Sequence, residues 1–341
     1  MYPKRQVALL TYFLFLALVG TLLISCTSTP KGCKEAPEVQ PLTKPIKIER
    51  LDQSFWQQDT TLAATSIWLG QHNDFVDKYR KSFPGQDDST FLAYIAGMRK
   101  DKYLDTMRRE TAQMLGELKD VEAAYSDAFA YVKHYYPTAP IPAIKAFVTG
   151  FSFDVSMADS TLVMIGLESF LAGKGHYTPP MMPMYMMRRL KRTAIVPLTM
   201  MAVSNRYNKR DILDATLTAD MITWGKTYYF IEKTMPCTPD SAIIGFTPDQ
   251  MDFVTANEKQ IYGHFIQQKL FFITNHLDKR RYVDERPLIP EISEKCPGRV
   301  ARYLGWQIVR AYAKASGKSL QEIMAETNAQ TIFNKAQYKP A

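Results

Sequence analysis

Ala143-Ile144-Lys145-Ala146-Phe147-Val148-Thr149, Phe151-Ser152-Phe153-Asp154-Val155 and Thr161-Leu162-Val163-Met164-Ile165-Gly166 are three short β-type runs in a chain whose pattern is otherwise helical. Gly150 and Ala158-Asp159-Ser160 separate them, so turn chemistry bounds each run. They predict a small sheet of about three or four strands, with alternating Ile46-Lys47-Ile48-Glu49-Arg50-Leu51 as an edge strand. Before them, helical spacing covers 60–79, 88–97, 102–115 and 118–136. After a loop over 173–183, helices are predicted at 184–190, 195–207 and 212–234. Thr247, Pro248 and Gln250 then form a capping-box start for a helix running to 272. The stretch 275–297, with Pro287, Pro290 and Pro297, reads as a long loop. The last helices cover 298–315 and a run from Leu320, which Ser319 caps with Glu322 at N3. Helices, a small sheet and more helices predict an α+β fold, a mostly helical domain with a small central β-sheet.

The first residues carry a different signal. Lys4 and Arg5 precede an uncharged, leucine-rich run from Val7 to Ile24, the pattern of a secretory leader. Leu23-Ile24-Ser25-Cys26 resembles the bacterial lipobox, which places acylation on Cys26. Two or three acyl chains hold a domain on a membrane, where one holds it only marginally. The competing reading is a signal-anchor helix retained in the chain, because about 18 apolar residues just span a bilayer. The expected organisation is a signal peptide over 1–25, a lipidated tether over 26–45 and one globular domain over 46–341. Thr27 follows the cysteine where an inner-membrane retention signal would place Asp, which favours the outer membrane.

Composition excludes little else. The chain has 341 residues and a formal charge of +8, which falls to +6 without Lys4 and Arg5. No zinc-finger spacing, RNA-binding aromatic motif or long basic run accompanies that excess, so nucleic acid is not an expected partner. If Cys26 is acylated, Cys33, Cys237 and Cys296 remain. They permit a Cys237–Cys296 bridge or three inert thiols.

The search for chemistry finds no convergent set. His72, His134, His176, His264 and His276 are never four residues apart, so no H-E-x-x-H helix exists. No phosphate-binding glycine loop and no G-x-S-x-G elbow appears. No cofactor and no metal is expected. Met181, Met182, Met184, Met186 and Met187 invite a soft-metal reading, but methionines more often fill irregular apolar surfaces. Arg188, Arg189, Lys191 and Arg192 form one basic cluster, and Lys279, Arg280 and Arg281 form another. On the helix from Gly298 to Tyr312, Val300, Leu304, Ile308, Ala311 and Tyr312 share an apolar face. Arg299, Arg302, Trp306 and Arg310 fall opposite and form a candidate interaction face, because Trp and Arg dominate interface hot spots. The alternative is a sandwiched helix with Trp306 in a second layer and its arginines paired with acids.

A series of short motifs carries a family resemblance. It comprises Ile48-Glu49-Arg50-Leu51-Asp52, Ile165-Gly166-Leu167-Glu168 with Tyr177, Trp224-Gly225-Lys226, and Ile244-Gly245-Phe246-Thr247 with Gln250. It continues through Asn257-Glu258, Pro297-Gly298-Arg299, Gly305-Trp306-Gln307-Ile308-Val309 and Tyr338-Lys339-Pro340. In this order they resemble the gliding-motility lipoprotein B family (GldB) of Bacteroidota over nearly all of the mature chain. The resemblance implies a cell-envelope lipoprotein that serves the gliding and type IX secretion apparatus. Because no convergent catalytic set is found, the first functional expectation is a non-catalytic component that acts by contact with other envelope proteins. Gly225, Lys226, Asn257, Glu258 and Gln307 are motif residues to which it assigns no role. The family is also distantly similar to gluzincin-type zinc peptidases, which implies a peptidase-like fold without its metal. Helix 195–207 here offers no histidine, and Trp224 precedes Gly225 where a glutamate ligand would stand. A degenerate hydrolase working through Glu110, Glu122 or Glu258 is the second functional expectation. A glycan-binding lipoprotein is the third.

Overall fold

Short, near-continuous apolar runs in the middle of the chain build the sheet to which the helices are fixed. The computed structural model describes residues 33, 34, 36–157 and 159–340. The expected leader and Cys26 therefore lie outside the described residues. Four strands, β1 (Ile48–Arg50), β2 (Ala143–Phe147), β3 (Val155–Ser156) and β4 (Leu162–Gly166), stand in the order β1-β2-β4-β3. β1, β2 and β4 are parallel, and β3 runs antiparallel on the far edge. Ile144, Ala146, Val163 and Ile165 face one apolar cluster, while Phe147, Leu162 and Met164 face another. Every residue of β4 is buried, as a parallel strand covered on both faces requires.

The N-terminal helices cover the second face. These are α1 (Leu51–Trp56), α2 (Leu62–Gln71), α3 (Asn73–Tyr79) and α4 (Asp88–Met98). Phe55, Trp68, Phe75, Tyr79, Phe91 and Ile95 pack there around Phe147. Lys145 points the same way and is buried, with its ammonium paired to Asp74 at 2.7 Å and Glu49 at 3.1 Å. Two further helices, α5 (Lys102–Leu115) and α6 (Lys119–Tyr135), lead into β2. α6 lays Tyr125, Phe129 and Val132 on the first face.

Everything after β4 builds the larger layer on that first face. Its helices are α7 (Met184–Met187), α8 (Ile195–Ser204), α9 (Leu217–Thr234), α10 (Asp240–Ile244) and α11 (Pro248–Ala256). They continue with α12 (Glu258–Gln267), α13 (His276–Val283), α14 (Val300–Ser316), α15 (Leu320–Ala325) and α16 (Ala329–Ala336). The molecule is mostly helical (57%) with this small mixed sheet, as an α+β reading requires. No helix among the described residues is long and apolar enough to cross a membrane. Both expected capping boxes form, at Thr247 and Ser319.

Several elements differ from the sequence reading. The expected strand 151–155 is reduced to Val155–Ser156, with Phe151 in a left-handed backbone, and the expected helix 212–234 begins only at Leu217. The run 60–79 breaks at His72 into α2 and α3, and the run 247–272 breaks at Asn257. The expected loop 275–297 contains α13, whose start Asn275 caps by accepting from Leu277 N and Asp278 N. With Lys279, Arg280 and Arg281 among its few apolar residues, this helix shows no hydrophobic stripe.

α9 and α14 cross at the centre of the large layer, and two glycines set their separation. A Cβ on Gly225 would stand 2.3 Å from Gly305 O, and one on Gly305 would stand 1.9 Å from Met221 O. Only residues without a side chain let the backbones approach so closely.

The cysteines correct the expected pairing. Cys33 is bonded to Cys237, across 204 residues of sequence, while Cys296 is a buried free thiol. Burial pushes the Cys296 thiol up to about 12, which keeps it protonated and inert. The stretch expected as a tether is thus bound to the domain from Cys33 onward. Lys34 N donates to Pro236 O at 2.9 Å, and Leu42 packs on the core. Closing so long a loop restricts the unfolded chain, so Cys33→Ser should lower stability by about 2–4 kcal/mol. Urea denaturation with and without reductant checks this, and a reductant-insensitive midpoint in the unsubstituted protein would count against it.

Candidate functional site

The predicted interaction face is the first element to place, and the structure turns it inward. Trp306 is 0% exposed, and its Nε1 donates to Glu232 Oε2 at 2.9 Å. Arg310 lies over the Trp306 ring at 4.0 Å and donates to Glu232 at 2.8 Å and to Asp240 at 2.9 Å. Its Nη1 lies 2.7 Å from Asp240 Oδ2 and donates to Gln307 Oε1 at 3.3 Å. Burial alone would raise the Asp240 carboxyl, but Arg310 and Lys34 outweigh it and hold that carboxyl below its usual range. Arg302 stacks on Trp224 at 3.7 Å and donates to Val283 O at 2.6 Å. Arg299, Arg302, Trp306 and Arg310 therefore form an internal joint and not a partner surface. The physical reason is that a guanidinium held by a distant acid, an indole face or a backbone carbonyl looks, in sequence, the same as one on a solvated face.

Most motif residues turn out to join separate stretches of chain. Arg299 has φ +64°, an uncommon backbone for a residue with a side chain. Its guanidinium is buried, donates to Ile244 O and to Gly245 O at 3.0 Å, and pairs with Glu285 at 3.2 Å. Pro297-Gly298-Arg299 is thereby fastened to Ile244-Gly245-Phe246. Burial lowers the Arg299 guanidinium to about 10, still cationic at neutral pH. Lys226 is buried behind Gly225, and its Nζ donates to Lys209 O and to Glu326 O at 2.8 Å, holding the end of α15. Burial lowers this ammonium to about 8. Asn257 Nδ2 donates to Phe253 O at 2.8 Å where α11 gives way to α12. Glu258 accepts from the Tyr303 hydroxyl at 2.6 Å and from the Tyr338 hydroxyl. At the C-terminal end of β4, Glu168 Oε1 accepts from Thr149 N, Thr149 Oγ1 and Phe151 N at 2.9, 2.6 and 2.7 Å. Burial, opposed by these donors, raises the Glu168 carboxyl.

The residues around Arg299 open into a cleft of about 650 Å³. Gly245, Phe246, Thr247, Gln250, Pro297 and Gly298 line it, so two motifs distant in sequence share one wall. The expected basic cluster supplies the other wall. Arg188, Arg189, Lys191, Arg192, Arg286 and Arg299 meet only two carboxylates there, Asp120 and Glu285, an excess of four positive charges. Asp120 is spent on Arg192, which also donates to the Leu115 carbonyl at the end of α5 and to the Glu117 carbonyl just after it. Glu285 is shared between Arg189, at 2.7 Å, and Arg299. Arg188 and Lys191 are exposed and have no ion-pair partner among the described residues. Cys237 lines the same cleft, so the disulfide stands at its edge. No group of three or more His, Cys, Asp or Glu suited to a metal occurs among the described residues.

A model of the gliding motility protein GldB matches residues 32–340. The chain belongs to the GldB family. That match spans the sheet, the α9–α14 crossing and the basic cleft, and it bears out the resemblance carried by the ordered GldB motifs. Membership ties the chain to gliding motility. No curated protein and no solved structure matches it. The peptidase-like build expected from a distant likeness therefore has no support.

At the N-terminal end of α9 the GldB chain exposes apolar side chains that sequence reading passed over. Ile212 is 82%, Leu213 86%, Phe272 67% and Leu277 69% exposed. Their segments are stitched together: Leu217 N donates to Ile273 O at 2.9 Å, and Lys279 Nζ to Ala215 O at 2.7 Å. The expected basic cluster at 279–281 adjoins them. Lys279 is spent internally, also pairing with Asp220 at 2.8 Å, while Arg280 pairs with Asp284 in its own helix. The sequence reading places Ile212 and Leu213 at the start of a helix, but α9 begins only at Leu217 and leaves them in a loop.

Proposed function

We propose that the chain is a non-catalytic envelope lipoprotein, acylated at Cys26 and held at the outer membrane, that serves gliding motility and type IX secretion by binding another protein of that machinery. The exposed apolar patch of Ile212, Leu213, Phe272 and Leu277 carries this reading. Large apolar side chains grouped on adjoining segments mark protein contact sites. Family membership gives the setting in which the partner is found. The patch also lies away from the Cys33–Cys237 bridge. α9 has 18 residues, about 27 Å at 1.5 Å per residue, with the patch before its start and Cys237 beyond its end. Of the carboxylates considered for catalysis, Glu258 is occupied by two phenols and Glu122 by Ile48 N and Lys47, which favours binding over hydrolysis.

The test is an Ile212→Glu/Leu213→Glu double variant. Both side chains are exposed, so the thermal transition should stay within about 0.5 kcal/mol of the parent. Co-purification of envelope proteins after cross-linking should be lost and gliding or secretion abolished. Full function in the double variant would overturn the patch. Incorporation of labelled palmitate that disappears in Cys26→Ala would establish the anchor independently.

A further inference from the structure

We infer that the basic cleft beside Cys237 binds a phosphate monoester, presented by an anionic lipid of the membrane to which Cys26 is anchored. The inference rests on the anchoring proposed above for its source of ligand, and on the cleft itself for its chemistry.

The chemistry comes from the unbalanced charge. Six cations face two carboxylates, and both carboxylates are already committed to Arg189, Arg192 and Arg299. Arg188 and Lys191 are left at the rim with free donors. Arg189 Nε and Arg286 Nη1 are buried and have no hydrogen-bond acceptor, Arg286 Nη1 having only a long ion pair to Glu291 at 3.9 Å. An unmet buried donor is costly, more so on a charged group. A dianionic oxyanion drawn between these side chains, with a turn of either guanidinium, supplies the acceptors that are missing. Guanidinium forks suit phosphate because they donate two parallel bonds to its oxygens. The inner wall, with Val121, Ala124, Val196, Pro197 and Phe246, is apolar and fits the glycerol and first methylenes of a lipid.

The placement comes from the disulfide. Cys33 is seven residues from Cys26, and a chain of that length reaches at most about 25 Å when fully extended. A cleft edged by Cys237 is therefore kept close to the surface that holds the acyl chains. A basic site so placed meets the concentrated negative charge of anionic headgroups.

Isothermal titration of the purified full-length protein in neutral detergent at pH 7 tests this with soluble probes, so its failure is distinct from a failure of anchoring. Mass spectrometry of the same preparation reads Cys26 acylation directly. Dihexanoyl phosphatidate should bind one to one, and at least tenfold more tightly than glycerol 3-phosphate or inorganic phosphate. Dihexanoyl phosphatidylcholine and hexaglutamate should not bind. Arg188→Glu/Lys191→Glu should weaken phosphatidate at least tenfold with an unchanged thermal transition. Equal binding of glycerol 3-phosphate and phosphatidate would keep the phosphate site and overturn the lipid source. Hexaglutamate binding as tightly as phosphatidate would make the cleft an acidic-peptide site and overturn the proposal. Absence of phosphatidate binding, or its survival in the double variant, would overturn it as well.

Discussion

Gly305→Ala is expected to lower stability by about 4 kcal/mol or more and to leave a substantial unfolded fraction at 37 °C. The added methyl would stand 1.9 Å from Met221 O and 2.5 Å from Met221 C, which is backbone and cannot rotate away. α9 and α14 would have to separate, and both are lined with fully buried side chains, among them Tyr228, Ile231, Leu304 and Trp306. Losses of this size belong to overpacked cores, beyond the range of ordinary substitutions. Gly225→Ala meets the same crossing from the other side, so the two variants should not be additive. Gly263→Ala is the control. It lies within α12 where a Cβ meets nothing within 4 Å, so it should gain about 0.5–1 kcal/mol. Urea denaturation of the three proteins decides the matter. A Gly305→Ala midpoint equal to that of the control would mean that the helices do not cross so closely.

The second large effect is expected at Trp306. Its ring is fully buried between Tyr228, at 5.5 Å, and the Arg310 guanidinium, and its Nε1 holds Glu232. Trp306→Ala should cost about 3–5 kcal/mol through the cavity alone, and it also removes a donor from a partly buried carboxylate. Trp306→Phe keeps most of the packing and should cost about half as much. A Trp306/Arg302 double alanine variant should lose its cooperative thermal transition. That reverses what an exposed binding face would give, namely loss of partners with the fold intact. Calorimetry separates the two outcomes, since an unaltered transition in Trp306→Ala would return the residue to the surface.

Local signals carried most of the fold. Short apolar runs bounded by turn residues placed the strands at 143–147 and 162–166, because a sheet covered on both faces needs apolar side chains pointing both ways. Capping boxes at Thr247 and Ser319 placed helix starts, because those bonds close within four residues. What was lost required partners far along the chain. Arg310 meets Asp240 and Glu232 across 70 and 78 residues, and nothing local distinguishes a guanidinium that will find such acids from one that will face water. Three cysteines left several pairings open, and only the fold brings Cys33 to Cys237. The cleft was half visible. Its basic cluster and its Ile244-Gly245-Phe246 and Pro297-Gly298-Arg299 walls were each singled out, but their meeting depends on one buried arginine in a left-handed backbone. The apolar patch was missed because 212–216 reads as the first turn of a helix, whereas the helix begins only at Leu217 and leaves Ile212 and Leu213 in a loop.

The disulfide has one more consequence, in how far the proposed lipoprotein can wander. A leash free from Cys26 to Pro45 has 19 links, and fastening it at Cys33 leaves seven. Accessible volume grows as the cube of reach, so one covalent bond shrinks the region that the domain can sweep by roughly twentyfold. Any binding site on the domain then meets its neighbours in the membrane at a correspondingly higher local concentration, and over a narrower range of orientations. An anchor of this kind does more than locate the protein: it selects which side of the domain the rest of the envelope encounters.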